Sequence, residues 1–537
     1  MALIDFALWL QRDRDRTRAL ELERHARAAA LPPAGDPAAA ALAALDVPGG
    51  VRIGHHVETG RGLRVDLKTL ARSAVIPGAS GAGKTVGLVS IIDQILRRVF
   101  GVGLPAGVTE VDLEIELIDP KSETYRLVCL ALAILYEGAP PEVQERIERS
   151  VQVITSSRDR VSPFCPYDND GSVSDSFHAH LRASVAGTAG SNPDTPGVQQ
   201  LRFMVDRVLT ELRFAPNYRL LARFFTDPAF QARIVGRVSD RDVRAFFENL
   251  QARMSRQTIE AYLRRVQKDL SFPEVKLALG CPPDRLRRIL PKTKPKIILA
   301  DFGPEGNLPA GVCLERASHH VTDSLRWAAR RDPSVPKVLV IEEAPTLIAG
   351  ATALTEPLSV AGRTLRSVNY GVLYVAQDFV GGLPPDLVRT VALNAYWQAV
   401  FRSGKGEAEW IYGHVADSDG APETERRAFL KRIEGLPDRH FYFLQKGRPA
   451  VALKTDDVAP VSAERQAELL DLFDRKIAVK STISAAVAAE IIAEFEAEVV
   501  DQGAIPPGSP AAKATSVGGF GDLLRALGGD REDPDAE

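Results

Sequence analysis

The chain has 537 residues, 45% apolar and 26% charged, which points to a soluble globular protein larger than one ordinary domain. Its formal net charge of −3 excludes bulk attraction to nucleic acid, so basic groups for a polyanion must be concentrated locally. No apolar run reaches the ~18–20 residues of a membrane helix.

In chain order, residues 1–30 read as an Arg- and Glu-rich amphipathic helix. The Ala- and Pro-rich stretch 31–48 reads as a linker, so 1–48 forms an N-terminal appendage. The start Met1–Asp5 leads into the charged run Gln11–Arg18, which is no secretory signal. Short strands are expected at Val51–Ile53, Gly62–Asp66 and Ser73–Ile76, followed by a glycine-rich loop and a helix over Thr85–Phe100. Strands at Val111–Ile118 and Val151–Thr155 flank a helical stretch whose apolar run Leu127–Leu135 suits a buried helix.

The segment 176–290 has a helical pattern broken at Pro and Gly, and reads as a helical insertion. Strand patterns return at Lys296–Phe302, Lys337–Ile341, Gly371–Ala376 and Trp397–Phe401, then as a hairpin, His440–Leu444 with Ala450–Leu453. Strands alternating with helices predict an α/β fold with a mostly parallel sheet covered on both faces. The motor-sized unit is 49–460. A C-terminal helix is expected over 461–500, and a Pro-, Gly- and Ser-rich acidic tail over 501–537 reads as disordered. Within that tail the apolar segment Phe520–Leu527 is either a docking peptide or residual greasiness.

Gly78-Ala79-Ser80-Gly81-Ala82-Gly83-Lys84-Thr85 matches GxxxxGK[ST] in full, with an apolar strand before it and a helix after it. In such a loop the backbone N–H groups wrap phosphates at a helix N-terminus. Lys84 then reaches the β- and γ-phosphates, and Thr85 ligates Mg²⁺. The nucleotide implied is ATP. A second acid is supplied by Val338-Leu339-Val340-Ile341-Glu342-Glu343, a buried-strand pattern ending in two carboxylates. Adjacent strand residues point opposite ways. Glu342 is therefore expected on the Mg²⁺ side, and Glu343 at the attacking water. Gln377, after Val372–Ala376, stands where an amide can sense the γ-phosphate.

In this order the motifs resemble the HerA–FtsK superfamily of hexameric DNA-pumping ATPases, over roughly residues 51–455. After the phosphate loop comes Asp119-Pro120-Lys121, similar to the superfamily's second-strand signature. Then follow Glu342-Glu343-Ala344, the segment Gly362-Arg363-Thr364-Leu365-Arg366 to Gln377, and Asn394 to Phe401-Arg402-Ser403. The resemblance implies a RecA-like P-loop NTPase core, Asp119 near the nucleotide, a homohexamer, and double-stranded DNA in its pore. It also implies an arginine acting in trans, with Arg402 first and Arg363 and Arg366 behind it. Departures are Glu342 where many relatives carry Asp, Pro345 where a histidine is common, and a short region before the phosphate loop.

The leading expectation is thus an ATP-hydrolysing DNA translocase subunit acting with a nuclease or other effector, in DNA processing or anti-phage defence. One alternative is a soluble coupling or secretion ATPase, related to type IV conjugative coupling proteins. Another is a nucleotide-controlled assembly platform.

Smaller features leave two readings open. Lys292–Lys296 and Lys405 are either phosphate contacts or solvated connectors. His55-His56 has no acid nearby in sequence and reads as structural; Tyr396-Trp397 reads as core or interface. Cys129, Cys165, Cys281 and Cys313 are far apart and without metal-ligand spacing, which suits a reducing cytoplasm.

Overall fold

A computed structural model describes residues 42–501 except 105–106, 156–158, 163–194, 213, 215–216, 283–284, 287–288, 291–294, 304–309, 329–331, 351–353, 416–422, 447, 449 and 457–460. The expected N-terminal helix, most of its linker, the acidic tail with Phe520–Leu527, Cys165 and Lys292–Lys294 lie outside the described residues.

Thirteen strands are present among the described residues: β1 Val51–His56, β2 Gly62–Val65, β3 Ala74–Pro77, β4 Glu114–Asp119, β5 Val151–Ile154, β6 Arg160–Val161, β7 Ile297–Asp301, β8 Lys337–Ile341, β9 Tyr370–Ala376, β10 Trp397–Phe401, β11 His440–Gln445, β12 Val451–Lys454 and β13 Ile483–Ser484. Eleven form one sheet in the order β2-β1-β12-β11-β10-β3-β9-β8-β4-β7-β5. From β10 to β5 every pairing is parallel. The other four strands add on antiparallel beyond β10.

The parallel strands are apolar on both faces because both are covered. Val338 and Val340 of β8 join a core with the helices Lys84–Phe100 and Glu123–Glu137. Their neighbours Leu339 and Ile341 join a second core with Ala310–Ala328, Ala344–Gly350, Thr355–Thr364 and Pro385–Asn394. The insertion contributes helices from Pro196–Leu212 to Pro273–Leu279, most of them packed in an apolar cluster of their own around Phe224, Phe230, Phe246 and Phe247. It is spliced in between β6 and β7.

Three expectations change. The end of the predicted linker is ordered: residues 42–45 form a helical turn, with Leu42 and Leu45 in the main core. Strand β4 starts at Glu114, three residues later than the sequence pattern suggested. The single C-terminal helix is two, Ala463–Lys476 and Ala485–Phe495, separated by β13, which pairs with β6. The second helix starts where the Ser484 side chain accepts from Val487 N, a capping geometry that separates it from the preceding chain. The first helix packs beside Glu123–Glu137, while Phe495, Val499 and Val500 enter the insertion's apolar cluster.

Candidate active site

Strand β3 lies between β9 and β10, so β9 separates the phosphate-loop strand from the acid-bearing β8. All these strands run parallel, and their C-terminal ends share one edge of the sheet. Such an edge is where open α/β sheets bind ligands.

The loop from Gly78 is fixed from both flanks. Gly78 N donates to Ala376 O at 3.2 Å, and Ala79 N to Arg402 O at 2.7 Å. Gly83 caps the following helix with φ +97°, and a Cβ there would sit 2.9 Å from Arg439 Cα. Only glycine fits that combination of handedness and close approach. Arg439 N in turn donates to Ala82 O at 2.9 Å.

Lys84 Nζ donates to the carbonyls of Gly78 at 2.6 Å and Ala79 at 3.0 Å. Burial pulls the ammonium below the usual lysine range, while Glu342 and then Glu343 push it back up. Both carboxylates therefore act on the charge of the phosphate-loop lysine, Glu342 more than Glu343. Thr85 is half-buried at the start of the same helix.

Glu342 follows the last residue of β8, and its N–H donates to Ile118 O at 2.9 Å. One carboxylate oxygen accepts from Thr124 Oγ1 at 3.0 Å, and the other is buried with no hydrogen-bond partner. Burial, then the charge of Asp119, raises its carboxyl to about 8. An oxygen with no donor, in a set made of carboxylate and hydroxyl groups, fits a hard cation such as Mg²⁺. Glu343 is left-handed, with φ +49°, so the chain turns sharply between the two acids. Such a conformation is uncommon away from glycine and clusters at functional sites. Its carboxylate pairs with Lys121 Nζ at 3.0 Å.

Asp119, expected at the nucleotide, has its oxygens engaged within the chain. Oδ1 accepts from Lys121 N at 2.8 Å and Oδ2 from Tyr125 N at 2.9 Å. It thereby holds the turn that presents Lys121 to Glu343 and Thr124 to Glu342. Lys121 and Thr124 were not singled out as site residues from sequence. The Asp-Pro-Lys tripeptide was visible, but nothing local tells which acids it serves.

Gln377 follows Ala376, the register partner of Pro77, so it stands beside Gly78 with its side chain exposed. The Arg402 side chain pairs with Asp438 at 3.0 Å, and its carbonyl holds the phosphate loop of the same chain. Arg363 and Arg366 are exposed and precede β9. The seven residues of β9 therefore separate them from Gly78, about 20 Å at the rise of a strand.

Lys405 is exposed and lies 4.0 Å from Glu409 one turn on. Trp397 is buried against Phe443, and Tyr396 lies under the Arg72 guanidinium. His55 does have an acid beside it: Asp456, distant in sequence, lies 2.5 Å from its Nε2 and 2.9 Å from Arg52 Nη2. The Arg52 charge and the hydrogen bond from His55 hold the Asp456 carboxyl well below the usual range despite its burial. The cluster fastens β1 to the end of β12 and keeps the structural role expected for the histidine. Cys129, Cys281 and Cys313 are buried thiols. Among the described residues no helix is long and apolar enough to cross a membrane.

No family model matches the chain. No curated protein matches it either. Among solved structures it is similar to the bacterial conjugative coupling protein TrwB in its ΔN70 form, at 14% identity over 75% of this chain and 89% of that one, TM-score 0.47. TrwB in complex with ADP and Mg²⁺ is similar at 11% identity, over 79% and 94% of the two chains, TM-score 0.47. VirB4 of Thermoanaerobacter pseudethanolicus is similar at 14% identity, over 79% and 99%, TM-score 0.48. On its own strand order, phosphate loop and facing carboxylates, the chain has a RecA-like P-loop fold with a helical insertion.

Proposed function

We propose that the chain is an ATP-hydrolysing motor subunit of the HerA–FtsK kind that moves double-stranded DNA as a homohexamer. The observation that carries this reading is the strand order, which sets the phosphate loop after β3 and the Glu342–Glu343 turn after β8 at one edge of the parallel strands, with a buried Glu342 oxygen that has no hydrogen-bond partner. In this reading the loop N–H groups and Lys84 bind the phosphates, and Thr85 and Glu342 hold Mg²⁺. Bound there, the metal neutralises charge on the phosphate oxygens. Glu343 takes the proton of a water as its oxygen attacks the γ-phosphorus and the bond to the β-phosphate oxygen breaks. Lys121 holds the Glu343 carboxylate in place, and Gln377 meets the γ-phosphate from β9.

DNA as cargo draws support from charge distribution. Residues 196–280, in the insertion, contain fifteen Lys and Arg against nine Asp and Glu, in a chain of net charge −3. Such local excess is the electrostatic footprint of a polyanion partner. In this reading Arg363 and Arg366, exposed and away from the chain's own phosphate loop, act across the subunit interface, while Arg402, whose carbonyl holds that loop, acts within its own subunit. A nuclease or other effector partner belongs to the same proposal.

The test is ATPase rate and assembly size, measured with and without duplex DNA. Turnover raised by DNA, in a ring assembled with ATP, is expected. Turnover indifferent to DNA but changed by a partner protein would sink the translocase reading in favour of the assembly platform, and recruitment to a membrane in cells would favour a coupling or secretion ATPase. Assembly with negligible turnover under every condition would leave only the platform.

A further inference from the structure

Gln377 poses a problem of placement. Its side chain is exposed, so packing does not hold it, yet an amide that meets a γ-phosphate must be fixed to within a fraction of an ångström. The backbone on its N-terminal side is secured by the β9 ladder and by the bond from Gly78 N to Ala376 O. On its C-terminal side the chain leaves the sheet into a single helical turn, Phe379–Gly382.

That turn is held by a residue from another loop. Glu407, only 7% exposed, lies in the first turn of the helix Lys405–Val415 that follows β10. One of its oxygens accepts from both Phe379 N and Val380 N, the latter at 2.8 Å. Asp378 accepts from Gly381 N at 2.8 Å, so three successive N–H groups after Gln377 are all satisfied by carboxylates. The segment bearing Glu407 is itself tied to the phosphate loop, because Arg402 O accepts from Ala79 N. The bonds thus close a ring of three segments: the phosphate loop to β9, β9's following turn to Glu407, and Glu407's own segment back to the phosphate loop.

The carboxylate is kept at this spot at a cost. Burial raises its carboxyl above the usual range, with Asp378 adding to that and Lys84 opposing it. Its second oxygen is buried without a hydrogen-bond partner. A group serving packing alone would be an apolar side chain of similar volume.

We propose that Glu407 is a positioning residue for Gln377, locking the turn after β9 to the loop after β10 so that the amide stays beside the phosphate loop. The inference rests on the ATPase reading and adds to it the device that sets the sensor's position.

The test is steady-state ATP hydrolysis by Glu407→Ala, Glu407→Gln, Gln377→Ala and the Gln377→Ala/Glu407→Ala double variant. Glu407→Ala should lower kcat about tenfold or more while shifting KM for ATP by less than about threefold. Glu407→Gln, whose amide oxygen still accepts from both N–H groups, should recover to within about threefold of the parent rate. The double variant should be no slower than the slower single variant, because one residue acts through the other. Equal losses in Glu407→Ala and Glu407→Gln, or multiplying losses in the double variant, would overturn the proposal. So would a Glu407→Ala protein that melts earlier but turns over normally. If Glu407→Ala does not fold, the Gln variant combined with Gln377→Ala decides: its rate should match Gln377→Ala alone, and a further loss overturns the assignment. A parent protein with no ATPase activity would instead bring down the functional reading itself.

Discussion

At the start of β8, Lys337 meets a fully buried Glu116; one residue past its end, Glu342 is buried almost as deeply with no cation bonded to it. Glu116 is surrounded by donors: Lys337 Nζ at 2.6 Å, His320 Nε2 at 2.8 Å and Ser324 Oγ at 2.5 Å. Ser324 in turn bonds the Tyr370 hydroxyl at 2.8 Å. The lysine and histidine hold the Glu116 carboxyl far below its usual range, overcoming burial. Glu342 has one hydroxyl partner and an oxygen left over, and burial wins. Glu116 is completed by its own chain, whereas Glu342 is left incomplete beside the phosphate loop, as the proposed cation site requires.

Several substitutions break or sharpen that contrast. The largest effect belongs at the incomplete end. Glu343→Gln should bind ATP but lose about 10²–10⁴ in kcat, the span a general base supplies. Single-turnover hydrolysis measured beside nucleotide affinity checks this, and a variant with normal kcat would remove Glu343 as the base. Lys84→Ala should remove turnover and weaken nucleotide binding together, because that ammonium serves ground state and transition state alike.

At the completed end the effect should be on folding. Glu116→Ala leaves Lys337 buried and unpaired, which costs about 3–5 kcal/mol in comparable cases. Denaturant melts of the nucleotide-free protein check it. Because Glu116 is depressed, its contribution is present above the unfolded carboxylate value and is lost as pH falls below it. Parent and variant should therefore converge in acid. A smaller effect is expected from the arginines. Arg366→Ala should lose activity that returns on mixing with Lys84→Ala subunits, whereas Arg402→Ala should show no such rescue. ATPase titrations of the mixtures distinguish the two placements.

What the sequence revealed follows the range over which its signals act. Strands β7 to β12 declared themselves within a few residues of their observed bounds, because apolar runs between turn residues are local patterns. Gly78–Thr85 and Glu342–Glu343 were readable for the same reason: each is a contiguous motif in a legible context. The pairings that complete the site were not. Lys121 with Glu343, Thr124 with Glu342, Glu407 with the turn after Gln377, and Asp456 with Arg52 and His55 all join residues far apart in the chain. No period or spacing encodes such a meeting; only the strand order creates it. The two-residue β6 and β13 escaped as well, being too short to carry an alternation.

The subtlest prediction separates the two carboxylates by the sign of their pH dependence. The Glu342 carboxyl is raised to about 8 from an ordinary value of 4.5. Between those limits the unfolded chain has lost the proton while the folded chain keeps it, so the folded state binds more protons and stability falls as pH rises. That is opposite to Glu116, whose stabilisation is lost as pH falls. Glu342→Gln keeps an oxygen to accept from Thr124 and has no charge to bury. Nucleotide-free Glu342→Gln should therefore melt close to the parent near pH 5 and several degrees above it near pH 8, read from thermal scans across that range. Adding Mg²⁺ and ATP should raise both proteins through the phosphate loop but the parent more, narrowing the gap, because the parent's carboxylate then gains the cation its second oxygen lacks. A gap that ignores pH would mean that burial is not what raises Glu342, and the contrast between the two ends of β8 would lose its electrostatic basis.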